Sequence, residues 1–239
     1  MKFSAIVGLP PLPRAFRNPL TRLASRYGSD KGLTTRGHGY TRVYHHFFHP
    51  IRNEVRSLLE IGLQRPRRHW RVTKVTDAPS LRMWRRYFPN AFLVGFDIRE
   101  FAVRDIANCA IICGDQGNQA DLARAVAASP EGYDIIIDDG SHASSHQQQS
   151  FATLFPCLEP GGYYAIEDLH WQPPDEERPE VERTVTLFKR FAASRSLSGR
   201  YFDDPQLSRD IDQVWLFDSL ESNDPLCSAD ALLIVRKKQ

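Results

Sequence analysis

Two strings in this sequence concentrate side chains able to do chemistry: Asp138-Asp139-Gly140-Ser141-His142 and Glu167-Asp168-Leu169-His170. Each offers a pair of carboxylates with a histidine shortly after it. Acids grouped in this way, with no cysteine among them, suit a hard cation that prefers oxygen, magnesium or manganese. A histidine beside them suits proton transfer, because its ordinary pKa lies near neutrality. Singly, each feature has a plain structural reading. Asp-Gly is a common turn pair, Glu167-Asp168 can be a solvated loop, and His142 can cap a helix. Their joint placement gives them weight. His142 is the expected base, with His146, one helical turn further on, and His170 as rivals.

Both strings close short apolar runs, Tyr133 to Ile137 and Tyr163 to Ile166, and the stretch between them is long enough for a crossover helix. That is the pattern of a βαβ unit in a parallel sheet. Ligands of open α/β sheets sit beyond the carboxyl ends of the strands. Three earlier apolar runs also end in acids: Glu60 within Ser57–Gly62, Asp97 within Ala91–Ile98, and Asp115 within Cys109–Gln116. Strand-terminal acids fit a nucleoside cofactor, since a carboxylate accepts both ribose hydroxyls. No G-x-G-x-x-G follows Glu60, and Asp97 lies far beyond the roughly 20 residues of a dinucleotide fingerprint. S-adenosylmethionine, which has no phosphates, is expected in place of NAD.

The chain has 239 residues, 41% of them hydrophobic, enough for one sizeable domain with a buried core. Its net charge of +2 points to neither nucleic acid nor an anionic membrane. Arginines cluster at 65–71 and 82–86, and the plainer reading makes them solvated. The four cysteines show no CxxC spacing, which argues against zinc and a disulfide framework and for a reducing, cytoplasmic setting. Prolines at 10, 11, 13 and 19 predict an extended arm over residues 1–25, ahead of a single domain over 26–239. They also interrupt any signal-peptide core, and no stretch has transmembrane length. A helical pattern starts at Thr21 and runs to the glycine-bounded loop Gly28-Ser29-Asp30-Lys31-Gly32. Tyr40, Tyr44 and Phe47 or Phe48 then recur at helical spacing, which reads as core. The aperiodic stretch from Leu63 to Pro79 is expected to form an active-site lid.

Gly28-Ser29-Asp30-Lys31-Gly32, Leu59-Glu60-Ile61-Gly62, Ser80-Leu81-Arg82-Met83-Trp84, Gly95-Phe96-Asp97-Ile98, Gly114-Asp115-Gln116, and the two acid strings together resemble one family. It is the class I S-adenosylmethionine-dependent, metal-dependent sugar O-methyltransferases of mycinamicin type, relatives of which are called cephalosporin hydroxylase-like. More loosely, the sequence is similar to mycobacterial enzymes that methylate mannose polysaccharides. The resemblance spans about residues 25–172 and departs from the pattern at 63–79. It implies an α/β, Rossmann-like class I methyltransferase fold. The expected form is a mostly parallel seven-stranded sheet, with helices on both faces and an irregular N-terminal cap. It further implies magnesium on Asp139, Glu167 and Asp168, and His142 as general base. Glu60, Asp97, Asp115 and Gln116, with Gly62, Ser80 and Asp138 beside them, fall in the cofactor region. The acceptor is then a saccharide hydroxyl. The residues themselves offer Trp70, Trp171 and Tyr40 either as stacking surfaces for a sugar ring or as packed core, and residues 172–182 as a segment closing over the acceptor or meeting a second subunit. The proline arm mildly favours a homo-oligomer. Two alternatives are an iron-dependent hydroxylase, for which no 2-His-1-carboxylate pattern is apparent, and a nucleic-acid methyltransferase gripping phosphate through Arg65–Arg71.

Overall fold

Apolar runs too short for helices and rich in isoleucine, leucine and valine form strands buried on both faces, and these strands need helices on either side. The computed structural model describes residues 18–32, 38–63, 74–217 and 231–239. In chain order, α1 (Pro19–Tyr27) and α2 (Thr41–Phe48) precede β1 (Ser57–Ile61), β2 (Lys74–Val75), α3 (Pro79–Tyr87), β3 (Phe92–Asp97), β4 (Glu100–Phe101) and β5 (Cys109–Cys113). Then come α4 (Gln119–Ala127), β6 (Tyr133–Asp138), α5 (Ser144–Leu154), β7 (Leu158–Ile166), α6 (Thr184–Ser194), α7 (Pro205–Asp210), β8 (Ile211–Phe217) and β9 (Leu232–Lys237).

The main sheet has seven strands in the order β5-β3-β1-β6-β7-β9-β8. Strands β5 to β7 are mutually parallel, and β9 runs antiparallel to both β7 and β8. This is the expected mostly parallel seven-stranded sheet. The strand order reverses at β1, so the switch point of the sheet lies where Glu60, Asp97 and Asp138 end their strands. One core, with Phe151, Tyr164 and Phe188, lies on one face of the sheet; the other, with Tyr44, Trp84 and Phe88, packs under α1, α2 and α3. Among the described residues no helix is long and apolar enough to cross a membrane.

Helix α1 matches the helical pattern expected from Thr21 to Gly28 and overruns the end of the expected arm. Asn18 Oδ1 accepts the Thr21 amide at 2.7 Å and Pro19 takes the first helical position, so the last residues of the 1–25 span are helical rather than extended. Residues 1–17 lie outside the described part. Most of the expected lid does too, including Trp70 and Arg65–Arg71; its far end forms the two-residue strand β2, paired in parallel with β4. Helix α5 has an unusual composition, SSHQQQSFATL, whose first half is polar yet buried. Those polar groups serve as tethers: Ser150 Oγ accepts from Gln116 Nε2 at 3.0 Å, and Gln147 Nε2 donates to the Glu167 carbonyl at 3.3 Å.

The strand ends interlock through the backbone. The Asp139 amide donates to the Ile61 carbonyl at 2.8 Å, the Glu167 amide to the Asp138 carbonyl at 2.9 Å, and the Gly62 amide to the Phe96 carbonyl at 2.8 Å. Gly62 has φ of 78°, and a Cβ there would lie 1.8 Å from the Asp139 carbonyl oxygen. Only glycine fits both the dihedral and the space. Gly62→Ala is expected to cost roughly 3 kcal/mol or more, read as a lowered midpoint in urea unfolding with little change in slope.

Candidate active site

Because β6 and β7 pair in parallel with Asp138 opposite Ile166, the residues that leave these strands emerge side by side. Asp139 and Asp168 thus come together with His142. One ligand atom from each lies within 4.8 Å of the others. His142 Nε2 is 3.8 Å from Asp168 Oδ2, while His38 Nδ1 stands 3.6 Å from Asp168 Oδ1. His142 and Asp168 both adopt left-handed backbone, at φ of 64° and 54°. That conformation is uncommon outside glycine and is held here by surrounding bonds. Tyr40 Oη donates to Asp168 Oδ1 and accepts the Asp168 amide at 3.2 Å.

Glu167 points inward instead. Its Oε2 accepts from Lys31 Nζ at 2.9 Å and its Oε1 accepts from the Tyr44 hydroxyl. Lys31 Nζ also donates to Asp139 Oδ2 and stands 3.5 Å from Glu60 Oε1. Lys31, Glu60 and Glu167 are all buried. Burial raises the Glu167 carboxyl well above its ordinary range, and the neighbouring Asp139 adds to that; Lys31 pulls the other way. Asp168 is raised for the same first two reasons. Burial lowers the Lys31 pKa, but Asp139, Glu167 and Glu60 outweigh it, and the ammonium is held well above its usual value.

At the head of β1, burial pushes the Glu60 carboxyl up to about 7 against the pull of Lys31, Ser80 and Trp84. Both Glu60 oxygens, Ser80 Oγ and Trp84 Nε1 are buried and lack a well-formed hydrogen bond among the described residues. Asp97 is tied down further along the sheet. Its Oδ2 accepts the Leu63 amide and its Oδ1 the Arg99 amide, each at 2.8 Å. Asp115 Oδ1 accepts the Gly117 amide at 2.7 Å in an exposed turn. Asp138 and Gln116 engage one another: Gln116 Nε2 donates to both Asp138 oxygens at 2.8 and 2.9 Å, and Gln116 Oε1 accepts the Ser141 amide at 2.9 Å. Burial raises Asp138 to about 7. A Cβ on Gly140 would lie 2.1 Å from Gln116 Oε1, so this pair closes tightly over the turn that presents Asp139 and His142.

The other expected residues find less central places. His146 Nδ1 hydrogen-bonds Ser141 Oγ at 2.8 Å and its Nε2 edge fills the space beside Gly117, so its ring braces the turn. Trp171, 48% exposed, sets its ring centroid 5.5 Å from that of His142. In segment 172–182, Glu177 Oε2 accepts the Ser144 amide at 2.8 Å, so this acidic stretch docks on the N-terminus of α5, where a carboxylate is favoured.

Sequence reasoning missed Lys31; it read Tyr44 as core and Tyr40 as core or as a stacking surface for a sugar. Both rings are indeed buried, but each hydroxyl reaches an acid of the site. The available signal was the charge in the middle of a glycine-bounded loop just before an aromatic helix.

No family model matches the chain. It is 39% identical over 151 residues to an 8-demethyl-8-alpha-L-rhamnosyl tetracenomycin-C 2'-O-methyltransferase of Streptomyces olivaceus, covering 63% of this chain and 37% of that protein. It is 38% identical over 154 residues to the mycinamicin VI 2''-O-methyltransferase of Micromonospora griseorubida, covering 63% of this chain and 36% of that protein. The chain therefore spans little more than a third of the length of these curated relatives. Among solved structures, the MycE methyltransferase in complex with Mg, SAH and mycinamycin VI superposes with a TM-score of 0.71 at 28% identity, over 93% of this chain and 56% of that one. The chain is thus similar in sequence to O-methyltransferases of glycosylated natural products, and it carries the class I methyltransferase fold.

Proposed function

We propose that this chain transfers a methyl group from S-adenosylmethionine to a sugar hydroxyl of a glycosylated natural product, with magnesium, or manganese in its place, beside the acceptor. The observation that carries this reading is the side-by-side emergence of Asp139 and Asp168 from neighbouring strands, with His142 between them and a solvent-facing tryptophan above. The relatives' substrates and the Mg and SAH of the MycE complex support it. The donor set fits a hard divalent cation, being rich in carboxylate oxygen and free of thiolate. Asp139, Glu167 and Asp168 would hold that ion. When bound, it lowers the pKa of a coordinated hydroxyl and orients it.

His142 Nε2 takes the hydroxyl proton as the sugar oxygen bonds to the methyl carbon and the carbon–sulfur bond breaks, leaving the ether, the neutral thioether and a protonated imidazole. Asp168, 3.8 Å from that nitrogen, steadies the charge. Glu60, Ser80 and the Gly62 turn would face the methyl donor, and the buried oxygens of Glu60 and Ser80, which lack a well-formed hydrogen bond among the described residues, suit a polar partner there. Asp97 would accept from the ribose hydroxyls, with Asp115 next in line on the sheet. Asp138 and Gln116 serve the same site by bracing it. The main contribution to rate is the in-line holding of oxygen, carbon and sulfur.

Three outcomes are expected. Isothermal titration with S-adenosylhomocysteine and magnesium gives saturable binding, and purified protein methylates at least one member of a panel of rhamnosides and deoxysugar glycosides. Absence of cofactor binding under every metal condition overturns the reading. His142→Ala loses roughly 10²–10⁴-fold in turnover while S-adenosylhomocysteine affinity stays within about threefold; full activity in this variant removes His142 from its role.

The third concerns Glu60, whose pKa burial raises to about 7 in the folded chain from an ordinary 4.5. The folded state then holds a proton that the unfolded chain releases, so the ionised carboxyl opposes folding above pH 7, and this penalty fades as pH falls toward 4.5. Glu60→Gln should gain about 2–3 kcal/mol relative to the parent between pH 5 and pH 8. A pH-independent difference between the two unfolding free energies contradicts this.

A further inference from the structure

The loop Gly28-Ser29-Asp30-Lys31-Gly32 carries a buried cation into the carboxyl end of the sheet. Its geometry is fixed from both sides. Gly28 ends α1 at φ of 77°, the Ser29 amide donates back to the Ala24 carbonyl at 2.9 Å, and the Thr41 amide donates to the Lys31 carbonyl at 2.9 Å. Gly32 lies where a Cβ would meet the Ala24 side chain at 2.9 Å, so the loop closes tightly on the helix. The result is a lysine whose side chain is 1% exposed, delivered to the point where three strands end.

There its ammonium faces one acid from each strand end: Glu60 near the end of β1, Asp139 just after β6 and Glu167 just after β7. An ammonium has three protons and no acceptor, so it can serve three carboxylates, and no more. Two of those carboxylates belong to the set assigned above to the divalent cation. A metal ion and the ammonium cannot both hold the same lone pairs of Asp139 Oδ2 and Glu167 Oε2. Glu60 Oε1, at 3.5 Å and without a well-formed hydrogen bond, is the place for the ammonium to go.

We infer that Lys31 is a positioning residue that holds Asp139 and Glu167 together as an internal cation and yields them to the divalent ion by shifting toward Glu60. The inference rests on the assignment of Asp139 and Glu167 as cation ligands. It makes the cation end and the methyl-donor end of the site one electrostatic unit, because the charge released from one is received by the other.

The test uses the whole chain, magnesium as the probe, and two readouts other than turnover. The first is the side-chain ammonium resonance of Lys31 in lysine-¹⁵N-labelled protein, assigned by its absence in Lys31→Arg. Magnesium should move that resonance with the same midpoint as the calorimetric titration. The second is magnesium affinity: Lys31→Met, which removes the competing charge, should bind magnesium about tenfold more tightly, and Lys31→Arg should stay within about threefold of the parent. A resonance that ignores saturating magnesium, or a Lys31→Met affinity equal to the parent's, overturns the inference and leaves the proposed function standing. If Lys31→Met does not fold, the resonance in the parent protein still decides. Parent protein that binds no magnesium at all removes the metal assignment and this inference with it.

Discussion

Carboxylates taken out of water must be compensated, and this requirement governs the carboxyl end of the sheet. Glu60, Asp138 and Glu167 are essentially without solvent, and each is provided for differently. Asp138 has a neutral amide on both oxygens, Glu167 has a phenol and an ammonium, and Glu60 has an ammonium at 3.5 Å with Ser80 and Trp84 beside it. Removing a charge from water costs several kcal/mol after relaxation, and recovering that cost depends on geometry. The surrounding structure is built to supply the geometry. A capped helix ends in glycine so that a lysine can turn inward, an aromatic helix points its hydroxyls at acids, and a polar half-helix ties the loops to the sheet.

The same economy explains where the backbone is strained. Among the described residues, four non-glycine positions have positive φ, and two of them are His142 and Asp168. Arg195 is the ordinary left-handed end of α6. The strained pair at the site is kept by what touches it: Tyr40 holds Asp168 through both side chain and amide, and the Gln116–Asp138 pair closes over the turn before His142. Pre-formed placement of this kind lowers the reorganisation that a reaction demands of its catalytic groups.

Much of the architecture was legible from local pattern. Five apolar runs became the five parallel strands because a buried parallel strand has an unmistakable composition. The acids after β1, β3, β6 and β7 were visible because they break those runs abruptly. What stayed hidden was long-range. Nothing near Lys31 in sequence announces that it reaches residues 139 and 167, and an aromatic stripe gives no sign of which rings carry a working hydroxyl. The burial of a polar helix face in α5 was equally hidden, since hydropathy assigns such a face to solvent. The two-residue strands β2 and β4 were missed because their pairing depends on each other and on no periodicity of their own.

The close approach of Gly62 to the Asp139 carbonyl has a consequence for how this scaffold can vary. The turn after β1 and the turn after β6 occupy one shared volume, so neither can gain a residue without displacing the other. The spacing between the two halves of the cleft is therefore a fixed dimension of the sheet. Variation in what the cleft admits is left to the outer rim: to Trp171, and to the acidic stretch that docks on the start of α5 through Glu177 and the Glu182 carbonyl. A rigid floor and an adjustable rim are thereby built into one chain.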